Sequence, residues 1–201
     1  MNVTILYAYP HDGGYNHAVL EAVQAGFSSR TDSTSADAPV HITTLDLYKE
    51  GFDPILRFDA EHRRRDLIHD PSTEKYRTLI EDSDLLVFIF PIWWSGMPAI
   101  LKGFIDRVFV KGFAYRYKGI LPEGLLKGKK AWIITSDDTP GWFARFFEPD
   151  YGKVLRHQIL GIMCGIKTVR HDSMHYMRAS TPRRREAFLQ RVQRFASRIR
   201  A

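Results

Sequence analysis

Apolar and polar positions along this chain switch between the strand and the helix period. Val3 to Tyr9 is a short apolar, β-branched and aromatic run, and predicts a strand. Asn16 follows at a helix N-cap, with Val19, Leu20, Val23 and Phe27 on one helical face behind it. Ser28 to Pro39 is polar and breaker-rich, so it predicts a surface loop. Val40 to Leu47 predicts a second strand. Residues 48–72 carry Gly51, Pro54, Pro71 and the run His62-Arg63-Arg64-Arg65. They predict a long excursion with one helical turn, either a surface segment or a lid over a ligand. Glu74 to Asp82 predicts a short helix. Asp84 to Phe90 is the strongest strand, because the six consecutive apolar residues from Leu85 suit a parallel strand buried on both faces. Pro98 opens a helix at a position proline tolerates, with Ile100, Leu101, Ile105, Val108 and Phe109 on its buried side. Lys130 to Ser136 predicts a fourth strand, residues 151–164 a helix and Thr168 to His171 a short fifth strand. A last helix carries Phe188, Val192, Phe195 and Ile199.

Strands alternating with helices predict an α/β fold, an open five-stranded parallel sheet with helices on both faces. No repeat or linker divides it, so residues 1–201 are expected to form a single domain. The 201 residues are 44% hydrophobic and 26% charged, the composition of a soluble globular chain. Cys164 is the single cysteine, which excludes an internal disulfide framework and a Cys-rich zinc site. It lies beside Ile162 and Met163 on an apolar helix face and reads as buried and inert. No His, Asp or Glu spacing resembles a metal site. The apolar run from Leu85 to Trp94 is too short to span a bilayer. Met1-Asn2-Val3 shows no basic segment ahead of an apolar stretch, so no signal peptide is visible. A soluble, reducing, cytoplasmic setting is the expectation, with no membrane insertion.

The net charge of +6 suggests nucleic acid until it is located. Residues 1–169 hold 20 basic and 21 acidic side chains, whereas residues 170–201 hold nine arginines and two acids. The excess sits on the last helix, with Arg184, Arg191, Arg194 and Arg198 between its apolar positions. A solvated basic face explains this, and a phosphate-binding or anionic-surface role is the sharper alternative. No zinc-finger spacing or RNA-binding signature supports a nucleic-acid partner.

In open parallel sheets, ligands bind outside the carboxyl ends of the strands, where strand order reverses. Three segments follow strand ends here. The first, Pro10-His11-Asp12-Gly13-Gly14-Tyr15-Asn16, puts two glycines between a strand and a helix N-terminus. Exposed amides there make an anion site, and a plain turn with a cap is the alternative. The segment is neither a P-loop nor a Gly-x-Gly-x-x-Gly fingerprint. The second, Pro91-Ile92-Trp93-Trp94-Ser95-Gly96-Met97-Pro98, places adjacent tryptophans on a loop. Flat side chains beside a glycine suit a planar aromatic ligand, and a hydrophobic plug or interface patch is the alternative. The third, Thr135 to Trp142, contains Asp137-Asp138 ahead of Thr139-Pro140-Gly141. Paired carboxylates suit acid–base work, and turn-forming or capping roles compete with it.

Together these loops resemble the flavodoxin-like NAD(P)H:quinone oxidoreductases, the DT-diaphorase relatives and the bacterial quinone reductases that assist potassium-efflux channels. The most specific stretch runs from Pro91 to Phe109. Phe113-Ala114-Tyr115-Arg116-Tyr117 resembles the family's Phe-Ala-Tyr-x-Tyr segment, and His11 and Asn16 sit where the family's phosphate loop has its His and Asn. The resemblance implies a flavodoxin-like fold. It implies that His11, Gly13, Gly14, Tyr15 and Asn16 hold a flavin phosphate. Pro91, Ile92, Trp93, Trp94 and Ser95 would line the isoalloxazine ring, and Thr135, Ser136, Asp137 and Asp138 its pyrimidine edge. Tyr115 and Tyr117 would reach the catalytic pocket of a partner subunit in a homodimer. The third loop departs from the better-known members, which have Thr-Thr-Gly-Gly followed by a Tyr and a His. Phe143 and Pro149 fall near those two positions, and the loop is similar to a subgroup reading Asp-Thr-Pro-x-Trp, here Asp138 to Trp142.

The implied activity is a flavin-dependent NAD(P)H dehydrogenase that passes two electrons to a quinone or similar small aromatic acceptor. FMN is favoured over FAD, and NADPH and NADH are both admitted as donors. An electron carrier or regulatory flavoprotein acting through a protein partner, such as a potassium-efflux channel, is the rival. An interaction protein that has lost its flavin is a third reading, kept open by Asp137-Asp138.

Overall fold

A computed structural model describes residues 1–31, 39–61, 63–147, 150 and 152–200. Most of the loop expected between residues 28 and 39, together with His62 and Pro149, lies outside the described residues. The elements run β1 (Asn2–Tyr7), α1 (Tyr15–Thr31), β2 (His41–Asp46), a 3₁₀ turn (Arg64–His69), α2 (Pro71–Glu81), β3 (Leu85–Pro91) and α3 (Ala99–Val108). Then follow β4 (Tyr115–Lys118), β5 (Leu121–Gly124), β6 (Lys130–Ser136), α4 (Gly141–Phe146), a π-helix (Val154–Met163), β7 (Lys167–Met174) and α5 (Pro182–Ala196).

Five strands form one sheet in the order β2-β1-β3-β6-β7, with every pairing parallel. The chain leaves β1 toward β2 on one side and returns to β3 on the other. The order therefore reverses between β1 and β3, and a crevice opens above their carboxyl ends. All seven residues of β3 are buried, as an unbroken apolar run at the sheet centre requires.

Each face of the sheet has its own core. On one, Val19, Val23 and Phe27 of α1 and Phe188 and Val192 of α5 cover Val3, Ile5, Val87 and Trp132. On the other, Tyr76 and Ile80 of α2, Leu101 and Phe104 of α3 and Leu155 and Leu160 of the π-helix cover Leu6, Leu86, Phe88 and Ile133. α5 is also fixed electrostatically. The buried Asp172 carboxylate on β7 accepts bonds from Trp132 Nε1 (2.9 Å) and Arg170 Nη2 (2.8 Å), and Arg191 of α5 approaches it at 3.3 Å. Arg170 lies over the Phe195 ring and Arg191 over Phe188. The basic stripe of α5 is thus partly a packing surface, while Arg184, Arg194 and Arg198 face solvent.

Four features differ from the sequence reading. The β4–β5 hairpin lies outside the expected elements, because each strand is only four residues long and Pro122-Glu123 break any apolar pattern in β5. α4 is an additional short helix that the sequence pattern does not mark, opening after Thr139-Pro140-Gly141 with Pro140 at its N-cap. β7 is longer than expected, continuing to Met174 across an irregularity opposite Ala131 and Trp132. α2 begins at Pro71, capped by Asp70, whose side chain accepts from the Ser72 amide.

α1 and α5 meet backbone to backbone at Gly26. A Cβ there would lie 2.4 Å from the Gln193 carbonyl oxygen and 2.6 Å from Ala196 Cβ. Gly26→Ala should therefore part the helices and lower stability by about 1–3 kcal/mol. Urea unfolding should show a lower midpoint with unchanged slope; an unchanged midpoint would contradict the close packing.

Candidate functional site

The three loops expected to carry chemistry rise from the carboxyl ends of β1, β3 and β6, three adjacent strands of the sheet. In the first, the Gly13 amide donates to His11 Nδ1 (2.9 Å), which leaves the ring proton on Nε2. A Cβ on Gly13 would press the His11 ring at 3.2 Å, and Gly14 adopts φ +82°, a left-handed conformation suited to glycine. The first turn of α1 behind them contains no acid. Its leading amides have no partner within the helix, so the turn has the character of an anion cradle. Asp12 is turned aside: the hydrogen bond from Lys49 (2.8 Å) holds its carboxyl below the usual range.

Tyr15 contributes differently from its predicted place. Its hydroxyl donates to the Arg185 carbonyl (3.2 Å), its ring lies against Phe188, and burial pushes its pKa up to about 12. Only its backbone faces the cradle. Asn16 is buried, and its Oδ1 accepts a bond from Ser136 Oγ (2.9 Å).

The second loop is tied to the same residue. The Ile92 amide donates to the Ser136 carbonyl (2.8 Å), and Pro91 and Ile92 are buried beneath the loop. Trp93 and Gly96 exchange two backbone bonds of 3.0 Å, closing a tight turn. Its central residues, Trp94 and Ser95, both have left-handed φ, of 50° and 63°. Such turns favour Asn-Gly, so a Trp-Ser pair there stores strain. The result is that Trp94 stands fully in solvent, at 103% exposure, and Trp93 is 42% exposed.

The third loop spends its side chains on its own architecture. Thr135 is buried, and its Oγ1 bonds Ser173 Oγ (2.9 Å) and His171 Nε2 (3.3 Å) on β7. Asp137 accepts from the Thr139 amide (3.0 Å) and pairs with His175 Nδ1 (2.8 Å). Asp138 accepts from the Arg178 amide (2.8 Å) and pairs with its guanidinium at 3.3 Å. Both carboxylates act as anchors, which is the turn-forming alternative seen in the sequence. Beyond them α4 and its C-cap expose Trp142, Phe143, Phe146 and Phe147, with Phe143 stacked on Phe147 at 5.3 Å. From the sequence, His171, His175, Phe146 and Phe147 have no site role, and Phe143 is named only for its place near the family's Tyr. Trp142 had a signal in the Asp-Thr-Pro-x-Trp match, whereas the histidines fall at and beyond the predicted end of β7.

Tyr115 and Tyr117 lie elsewhere. They meet edge to face at 5.7 Å on the hairpin and line a cavity of about 560 Å³ beside α3 and the π-helix. None of the three loops contributes to that cavity. Within one chain the structure gathers the predicted cofactor residues at one crevice and leaves the tyrosine pair apart from it.

These features define a flavodoxin-type domain with a glycine loop at a helix N-terminus and an aromatic loop beside it. The chain belongs to the family described as having a flavodoxin-like fold, whose model matches residues 1–199. It is similar to the crystal structure of Smu.1420 from Streptococcus mutans UA159, with 43% identity, coverage of 99% of this chain and 100% of that one, and a TM-score of 0.87. The NAD(P)H:quinone oxidoreductase from Methanothermobacter marburgensis superposes with a TM-score of 0.78 at 26% identity, covering 98% and 96% of the two chains. An FMN-dependent NADH:quinone oxidoreductase of Caldicellulosiruptor bescii is 41% identical over 132 residues, 61% of this chain and 62% of that protein. Other curated relatives are matched over 50% to 82% of their length.

His171 makes the site's base sensitive to acid. Burial, aided by repulsion from Arg156, pushes its pKa down to about 4 from about 6.5. The unfolded chain then binds more protons between those values. Stability is whole above pH 6.5 and is lost as pH falls toward 4, by about 3 kcal/mol at roughly 1.4 kcal/mol per unit. Urea midpoints should fall between pH 7 and 4.5 in the native chain and fall less in His171→Gln. Equal acid sensitivity in both would refute this assignment.

Proposed function

We infer that this chain is a flavin-dependent NAD(P)H oxidoreductase that reduces quinones or similar small aromatic acceptors, with FMN as its cofactor. The observation that carries this is the clasp made by Ser136, which draws an anion cradle and an exposed aromatic turn to one crevice. The residues fit the group. Gly13 and Gly14 leave room that a side chain would fill, and the α1 amides supply donors for a phosphate. Trp93, Trp94 and Gly96 offer flat and open surface for a planar ring, and the backbone from Thr135 to Asp138 borders its polar edge. The FMN-dependent relative and the quinone oxidoreductase relatives support the same reading.

A bound flavin supplies hydride and electron transfer; the chain supplies binding, orientation and electrostatics. His11, held by the Gly13 amide, and the leading α1 amides would hold the phosphate end. The strained Trp94 turn fixes the ring end. Asp137 and Asp138 hold the third loop in place through His175 and Arg178, so neither carboxylate presses its charge on the ring edge. The exposed Trp93 and Trp94 would leave the crevice open to NADPH or NADH and to the acceptor in turn.

The working unit is a homodimer in the cytoplasm, in which the hairpin reaches across to the partner's crevice. The exposed hairpin supports this: Tyr117 is 52% exposed and the apolar tip residue Ile120 94%. Among the described residues no helix is long and apolar enough to cross a membrane.

The purified chain, incubated with FMN and desalted, should retain a flavin spectrum. Anaerobic NADPH or NADH should bleach it and menadione should restore it. Trp94→Ala should weaken flavin retention about tenfold, the loss of one aromatic contact of roughly 1.4 kcal/mol. A native chain that retains neither FMN nor FAD would overturn the reading.

A further inference from the structure

The arginines of α5 are explained neither by the crevice nor by the stability of the fold. Arg183, Arg184 and Arg194 on the helix and Arg198 in the turn that closes it are all exposed. At 3.6 residues per turn they fall, with Arg191, within an arc of about 100°. That arc is turned away from α1, which meets α5 at Gln193 and Ala196. From Arg183 to Arg198 the stripe runs about 22 Å. No acid interrupts it. Glu186, the one carboxylate of the helix, accepts from Gln190 (3.3 Å). Beside the helix, Asp172 is taken up by Arg170 and Arg191, and Asp138 by Arg178. Among the described residues, no carboxylate pairs with Arg183, Arg184, Arg194 or Arg198.

A face built for stability would be charged differently. Arg183, Arg184 and Arg185 stand in the first turn with no acid among them, at the positive end of the helix dipole. Arg191, Arg194 and Arg198 follow one another at spacings of three and four residues, where like charges repel. The helix is nevertheless pinned at both ends. Thr181 caps the Arg184 amide (3.2 Å), Arg185 turns inward to the Ser180 carbonyl (2.9 Å), and Lys130 donates to the Arg200 carbonyl (3.1 Å). A row of unpaired cations is thus held rigidly on one outer surface, and such a row attracts an anionic partner.

We propose that α5 docks the chain on an anionic phospholipid bilayer, with the guanidinium groups of Arg183, Arg184, Arg194 and Arg198 against lipid phosphates. All nine cations from residue 170 onward are arginine, whose planar fork matches a phosphate. The arc holds no apolar anchor of the kind a protein interface needs, because Phe188 and Val192 are buried in the core. Nor does it hold a ring on which a nucleic-acid base could stack, and α1 lies backbone to backbone beside α5, so the helix does not protrude as one entering a groove must. A bilayer surface asks only for charge along a line. The apolar side of α5 stays in the core, so the chain rests on the lipid without inserting. The surface is also free in the proposed homodimer: Tyr115 of the hairpin and Ala114 and Leu126 beside it pack with the core on the opposite face of the sheet. The N-terminus of α5 lies at the carboxyl end of the sheet, so docking sets the crevice at the edge of the lipid surface. That the acceptor is then a quinone dissolved in the bilayer rests on the function proposed above; the docking does not.

The test is read without turnover. The full chain is co-sedimented with phosphatidylcholine vesicles, with or without about 30 mol% phosphatidylglycerol. The anionic vesicles should bind it at least about tenfold more tightly, and raised salt should release it. Arg183→Gln with Arg194→Gln and Arg198→Gln should lower that affinity at least about tenfold. Its urea midpoint should be no lower than that of the native chain, because like-charge repulsion is relieved. Arg57→Gln with Arg65→Gln and Lys127→Gln removes as many exposed cations from other surfaces and should leave vesicle affinity within about twofold. Equal binding to both vesicles, undiminished binding by the stripe variant, an equal loss in the control variant or a lower midpoint in the stripe variant would each overturn the proposal. A short DNA duplex that binds the native chain more tightly than the anionic vesicles at equal phosphate would also overturn it and assign the stripe to nucleic acid. Flavin retention, measured without vesicles, reports on the redox reading, so the two can fail separately.

Discussion

Ser136 is the point on which the crevice depends. It ends β6 beside β3, and its two polar groups reach in different directions. The hydroxyl donates to Asn16 at the start of α1, and the carbonyl accepts from Ile92 at the start of the aromatic loop. One residue thus sets the distance between the glycine cradle and the tryptophan turn. Both bonds are shielded from water, because Asn16, Ser136 and Ile92 are each less than 9% exposed. Leaving a buried partner unsatisfied costs about 1–3 kcal/mol, so the arrangement resists small displacements.

That rigidity makes the strain above it affordable to the fold. Trp94 and Ser95 hold left-handed backbone conformations that cost of order 1–3 kcal/mol each. The two bonds between Trp93 and Gly96 close the turn, and the buried pair Pro91–Ile92 anchors it. A solvent-facing tryptophan gains nothing from folding, since it leaves its apolar surface in water. Strain and exposure together at one turn mean that this surface does not serve the stability of the fold. The core shows the contrast: β3 is buried throughout, and Asp172, the charge beneath α5, is surrounded by donors.

The parts of the fold legible in the sequence were those whose hydrophobic period decides the structure. Leu85 to Phe90 suits a strand buried on both faces, and Val19, Leu20, Val23 and Phe27 fall on one face of a helix. The β4–β5 hairpin could not be read that way. Its strands pack little, and cross-strand pairs such as Arg116 with Glu123 at 2.7 Å shape it instead. α4 escaped for a related reason. Its aromatic residues stay exposed, so no buried stripe marks the helix. In the site, the residue types and loops were legible, whereas the direction of each side chain was not. Tyr15 turns to α5 because Phe188 and the Arg185 carbonyl offer it a partner, and both lie far along the chain.

The same limit explains how the third loop can depart from its better-known relatives in sequence and still border the crevice. Side chains alternate along β6. Ile133 and Thr135 face the π-helix side, while Ile134 and Ser136 face α1. Thr135 must therefore meet His171 and Ser173 on β7, and only Ser136 can reach Asn16. Past the strand end, Asp137 turns to His175 and Asp138 to Arg178, both on the segment that follows β7. Asp137 is thereby buried, while the half-exposed Asp138 is tied to Arg178. A loop that presents its backbone can exchange two glycines for two aspartates, provided each carboxylate has its own partner behind the loop. Here each has one, so the acidic pair holds the loop through the segment that follows β7.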